Sequence, residues 1–272
     1  MSQNYLELNA ATLLMALGRY REALEFLERA LECQVPDQAM LQLRFATLMF
    51  HLGQHARALQ HVAQCQAAPT VHPIIKLTAA ILRVQVGAAS QGRARLDESV
   101  LAQARGLAEQ DGCNAAWVRC ELVCSEFSEP AQGLVHAERA IERAGRSHLH
   151  GLRLAGLTLS IEHALALGQS ERVRDDVPLV MTLRESYESH AMYRCRVAWA
   201  AIRAQRELAE PGADRLLEQE AAWIRHTAAD QVGASFVPSF LERNPSNRAL
   251  LAAASQSQRR DAGKLPQLRG SG

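Results

Sequence analysis

The chain has 272 residues, of which 48% are hydrophobic and 22% charged. That is enough apolar side chain to bury a core without disulfides or metal, and too much for a disordered chain. The formal charge is only +1, from 30 basic and 29 acidic side chains, which excludes both a strongly basic nucleic-acid binder and an acidic tail protein.

Taken in chain order, the sequence repeats itself. Leu17 to Leu31 aligns with Leu52 to Val62, and Gly18 and Gly53 occupy the same place, 35 residues apart. Each unit is expected to be an apolar helix, a turn at a small residue, and a second helix with alanine at the close approaches: Ala23 and Ala30 first, then Ala58. The next turns are expected at Gly87, within Gly87 to Gly92, then at Ser128, Gly168 and Leu208, at spacings of 34, 41, 40 and 40 residues. Pro36, Pro69, Pro73, Pro130 and Pro211 fall between helices or in first turns, where proline costs little. Pro178, after Asp175 and Asp176, marks the start of a further helix. Residues 235–254 are expected to form an apolar turn and a closing helix opened by Asn244 and Pro245. Residues 255–272 are polar and expected to be a disordered tail. No alternation argues for strands, so the fold class is all-α.

This pattern resembles the tetratricopeptide repeat, most clearly over 4–66 and 114–145, where Trp117 precedes Ser128 by the family's spacing for its first-helix tryptophan. Glu7 and Gln42 stand at that place in the first two units. The resemblance implies a right-handed superhelical solenoid over 1–254. The lengthened period is similar to the relaxed repeats of bacterial regulators of the maltose-activator type. The closing segment is similar to the repeat tails of large ATPase-linked or cyclase-linked bacterial regulators. The function that the resemblance implies is a non-catalytic, cytoplasmic scaffold for protein–protein interaction in a bacterial signalling or transcription-regulatory system. The other reading is a ligand- or peptide-sensing module, or a fragment, of a larger regulator.

The family binds through the inner face of its first helices. Carried onto this chain, that face is Tyr5, Leu8, Thr12 and Met15, then Met40, Leu43, Thr47 and Phe50, then Ile74, Leu77, Ile81 and Val84. It is mostly apolar and lacks the lysines and asparagines of arrays that clamp acidic tails. An amphipathic helix or peptide is the expected partner. Charged residues at Leu43 and Leu77 are expected to abolish partner binding without unfolding the chain. The first helix begins almost at Met1, so self-association through an uncapped N-terminal end is a further expectation.

Other groups read as structural. Cys120 and Cys124, four apart with His136 on the next helix, are expected in the core, and His148, His150 and His163 lack metal-ligand spacing. The cysteines, Cys33, Cys65, Cys113 and Cys195 included, form no C-x-x-C pair and read as reduced thiols. Asp175 and Asp176, and Glu218 and Glu220, read as solvated helix faces or helix starts. Arg194 and Arg196 alternate with buried residues and build no basic face, so no direct nucleic-acid contact is expected. No phosphate loop, dinucleotide fingerprint or nucleophile elbow occurs, and neither a cofactor nor catalysis is expected. No apolar run reaches the ~18–20 residues needed to span a bilayer, and Met1 to Tyr5 lack the pattern of a signal peptide.

Overall fold

The computed structural model describes residues 3–33, 37–68, 71–91, 114–187 and 192–263, with positions 102 and 106. Among these residues regular secondary structure is entirely helical, and no helix is long and apolar enough to cross a membrane. Two hairpins open the chain: α1 (Gln3–Ala16) with α2 (Tyr20–Glu32), and α3 (Gln38–His51) with α4 (His55–Ala67). Next comes α5 (Pro73–Gln91); the helix expected to pair with it lies outside the described residues, apart from 102 and 106. Three more hairpins complete the pairs: α6 (Asn114–Phe127) with α7 (Pro130–Arg146), α8 (His150–Leu167) with α9 (Ser170–Ser186), and α10 (Arg194–Glu207) with α11 (Ala213–Asp230). A 3-10 turn (Ala234–Phe236) leads into the short α12 (Val237–Glu242) and the closing α13 (Pro245–Gly263).

The helices form two layers. The first helix of each pair touches the first helix of the next, α1 on α3, α3 on α5, α6 on α8, α8 on α10 and α10 on α13, while the second helices pack outside them. The sequences match these places. Inner α8 buries an unbroken run from Leu154 to Ile161, because it has neighbours on several sides. Outer α7 buries only one stripe, Gly133, Leu134, His136, Ala137, Ala140 and Ala144.

Most inner helices end the same way. Residues 18, 53, 168 and 209 have φ of 77, 71, 68 and 53°, and each is followed by an amide that reaches back to the helix end, as in Arg19 N–H to Leu14 C=O at 2.8 Å and Gln54 N–H to Met49 C=O at 2.8 Å. This turn satisfies carbonyls that the helix end would otherwise leave bare. The Ser128 turn is closed differently, by Pro130 as a first-turn residue of α7.

Three expectations are corrected. Gly87 is not a turn: it lies inside α5, which continues to Gln91. Pro178 does not start a helix but sits within α9; it and its neighbour Leu179 are exposed, as are Arg174 and Asp175 one turn earlier, so the carbonyl released by the missing N–H faces water. Residues 255–263 are not a disordered tail but the end of α13. That helix is nucleated by the buried Leu250, Ala253 and Ala254, and each further residue then adds a hydrogen bond without a new nucleation cost. The rest of the expected tail, 264–272, lies outside the described residues.

The C-terminal elements do more than close one end. They dock on the turns of the first two hairpins. Arg21 N–H donates to Gln231 C=O at 2.7 Å. Ser239 Oγ donates to Leu52 C=O at 2.7 Å and Asn244 Nδ2 to His51 C=O at 2.9 Å. Buried Tyr20 packs on buried Phe240, ring centres 5.6 Å apart. The start and the end of the helical array therefore meet.

Candidate functional site: the interior cleft

The inner helices and the start of α13 surround a cleft of about 1190 Å³. No residue of α2, α4, α7, α9 or α11 lines it. Of the residues singled out from sequence, Thr12, Met15, Met40, Leu43, Thr47, Phe50, Ile74 and Ile81 do. Leu8 instead packs in the main core, and Leu77 packs with Ala80 and Cys120 in a satellite core. Val84 is buried and off the lining; on α5 the cleft-facing positions include 74, 78, 81 and 85, so the expected register slips by one residue at 77 and 84. The side chain of Tyr5 lies outside the described ones. A charge at Leu77 therefore strikes core, contrary to the expectation that it would leave the fold intact.

Apart from Arg44, His51 and Gln85, the wall near α1, α3 and α5 is mostly apolar for a specific reason. Thr12, Thr47 and Thr78 donate their hydroxyls to their own helices, at Leu8, Leu43 and Ile74 C=O, at 3.0, 2.9 and 2.8 Å. With those protons committed to the backbone, the threonines leave little polar demand in the cleft.

The opposite wall is charged but compensated. Arg196 of α10 is held by Glu162 of α8 through two bonds, at 2.8 and 3.1 Å, and by Glu126 of α6. Gln85 of α5 donates to the same Glu126 at 2.8 Å. Burial alone would disfavour the Arg196 cation, but Glu126 and Glu162 outweigh it and hold its pKa well above the usual arginine value. This clasp joins four inner helices and spans the stretch between α5 and α6. From sequence, Arg196 was noted only as alternating with buried residues and building no basic face.

Three more lining residues, His51, Tyr193 and Arg44, were not singled out as site residues from sequence. His51 packs at a tilt against Tyr193, ring centres 4.9 Å apart, and meets Tyr20 edge-on. Burial lowers its pKa to about 4, so it is neutral near pH 7. Tyr193 in turn donates to Asn247 Oδ1 at 2.9 Å, tying α10 to α13. Arg44 is the lone Lys, Arg, Asp or Glu in α3, and that isolation in an apolar stretch was the available signal.

The remaining candidates fall into the scaffold. Cys120 and Cys124 are buried, and His136 Nδ1 lies 2.7 Å from Glu121 Oε2. His150 stacks on Tyr187 at 4.3 Å, and His163 Nε2 lies 3.0 Å from Ser125 C=O. Among the described residues no group of three or more His, Cys, Asp or Glu is placed to hold a metal. The acidic pairs are not wholly solvated, which corrects the sequence reading. Asp176 is buried and bound by Ser160 at 2.6 Å and Arg172 at 3.0 Å. Glu220 is buried beneath Arg184 at 2.5 Å and Arg194 at 3.1 Å, whereas Asp175 and Glu218 are exposed.

In comparison with known proteins, no family model matches the chain and no curated protein matches it in sequence.

Proposed function

We propose that the chain is a non-catalytic scaffold of the tetratricopeptide type whose cleft receives a protein segment, within a bacterial signalling or transcription-regulatory system. The observation that carries this reading is the cleft itself, built from the inner helices and the start of α13 and floored by side chains such as Met40, Leu43 and Ile81. Small-molecule pockets measure roughly 300–1,000 Å³. A cleft of about 1190 Å³ with an apolar wall suits a peptide or short helix, with methionine able to repack around it.

The test is affinity capture from lysate of the source cell. Wild type is compared with a Thr47→Glu/Ile81→Glu variant, both positions being on the lining. Helicity is checked by circular dichroism. A protein recovered by wild type and lost by the folded variant supports the scaffold. Identical recoveries defeat it.

A second reading, a ligand-sensing module, is favoured by the contact between the two ends of the array. A ligand in the cleft that prefers one curvature would shift that contact. Self-association belongs to the same proposal: Leu6, Leu13 and Leu17, in and just after α1, are 58, 55 and 51% exposed.

A further inference from the structure

Arg44 stands in the cleft wall without the compensation given to Arg196. Its side chain is half-buried, and its Nε is shut off from solvent with no hydrogen-bond partner. A guanidinium offers five N–H donors in a rigid fork, suited to two oxygens of one anion. Leaving a buried donor unanswered is costly, and for a charged group more so. Arg119 of α6 lines the same cleft and adds a second positive charge close enough to act on Arg44. Burial first, and the charge of Arg119 second, lower the pKa of Arg44 from its usual value. Of the carboxylates on the lining, Glu126 and Glu162 are engaged by Arg196, and Glu129 is exposed. Unlike the Nε, the terminal nitrogens of Arg44 are not sealed from solvent, so they are the donors that an anion in the cleft would meet.

We infer that Arg44, reinforced by the charge of Arg119, is an anion-binding subsite in the cleft, taking the carboxylate or phosphate group of a ligand whose apolar part lies against the Met40, Leu43 and Ile81 lining. This deepens the reading of the cleft as a binding site but needs no protein partner.

The experiment uses the full chain in three buffers of equal ionic strength: sodium chloride, sodium phosphate and sodium hexanoate. Melting temperature is followed for wild type, Arg44→Met and Arg44→Lys. Phosphate stabilises proteins generally, so the quantity read is the rise of wild type beyond that of Arg44→Met. The expected excess is about 2–4 °C once the anion is several times its Kd. In chloride, Arg44→Met is expected to melt no lower than wild type, since it removes an uncompensated buried cation. Arg44→Lys keeps the charge without the fork and is expected to retain a reduced excess. An excess in hexanoate alone assigns a carboxylate ligand, in phosphate alone a phosphate, and in both the shared chemistry; each supports the subsite. Equal responses of wild type and the variants, or no anion response at all, overturn it. So does a lower melting point of Arg44→Met in chloride, which would make Arg44 structural. Failure of Arg44→Met to fold in chloride is the extreme of that result and overturns the subsite likewise. The readout involves no captured protein, so failure of the scaffold reading leaves this result independent.

Discussion

At the scale of single residues, the interior is organised by how each polar group is answered. Glu220 and Asp176 are taken out of water and Arg196 partly so, but each meets opposite charge, at 2.5, 3.0 and 3.1 Å respectively. Truncating one member of such a set leaves the others unpaired, the costly case for buried charge. His51 is answered differently, by staying neutral. Its pKa is about 4 folded, because it is buried, against 6.5 for a free imidazole. The unfolded chain then binds more protons between those values. Stability is full above about pH 6.5 and falls as the pH drops towards about 4. Burial also lowers His55, His61 and His163, which act with the same sign. His51→Phe preserves the ring contacts to Tyr20 and Tyr193. It is expected to lessen the fall in melting temperature over this range by several degrees; a profile matching wild type would remove His51 from this account.

At the scale of elements, the turns carry two separate demands that the sequence alone merges. Gly53 and Gly168 both have a left-handed backbone, φ 71 and 68°. A Cβ on Gly168 would meet nothing within 4 Å, whereas one on Gly53 would lie 2.3 Å from the carbonyl oxygen of Ser239 in α12. His148 and Ala209 adopt the same conformation with side chains, so the backbone cost by itself is tolerated. Gly168→Ala is expected to cost about 1 kcal/mol, the left-handed penalty alone. Gly53→Ala adds a forced shift of α12 and is expected to cost about 3 kcal/mol or more. Chemical denaturation measures the difference; equal costs would mean that the α12 contact is loose. Gly18 belongs with Gly53, since its Cβ would lie 2.6 Å from the ring of Trp223 in α11.

At the scale of the whole molecule, the array is not a simple one-dimensional stack. In such a stack each repeat feels only its neighbours, and removing one end leaves the other unchanged. Here residues 231–244 bond to residues 21–54 through Arg21, Gln54, Leu52 and His51. A chain ending at residue 230 is therefore expected to lose amide protection in α1–α4, far from the cut in sequence. Hydrogen exchange followed by mass spectrometry tests this. Unchanged protection in α1–α4 would mean that the closure contributes little. The same closure sets the cleft, because Asn244, Pro245 and Ala249 line it beside α1 and α3.

What the sequence determined by itself was local. Helix periodicity and turn glycines such as Gly18, Gly53 and Gly168 placed the hairpins, because a capped helix and its turn are specified within a few residues. The same periodicity placed most of the inner face on the cleft. It failed at Gly87, where a small residue sits in mid-helix, and at Leu77 and Val84, which are apolar because they are buried in packing and not because they face the cleft. Tertiary structure decided which distant groups meet. Gln85 and Glu126 are 41 residues apart, Glu126 and Arg196 70, and Glu162 and Arg196 34. No local pattern encodes such pairs. They arise because the inner helices pack side by side and the C-terminal elements dock on the first two hairpins, and that arrangement is a property of packing across the whole chain.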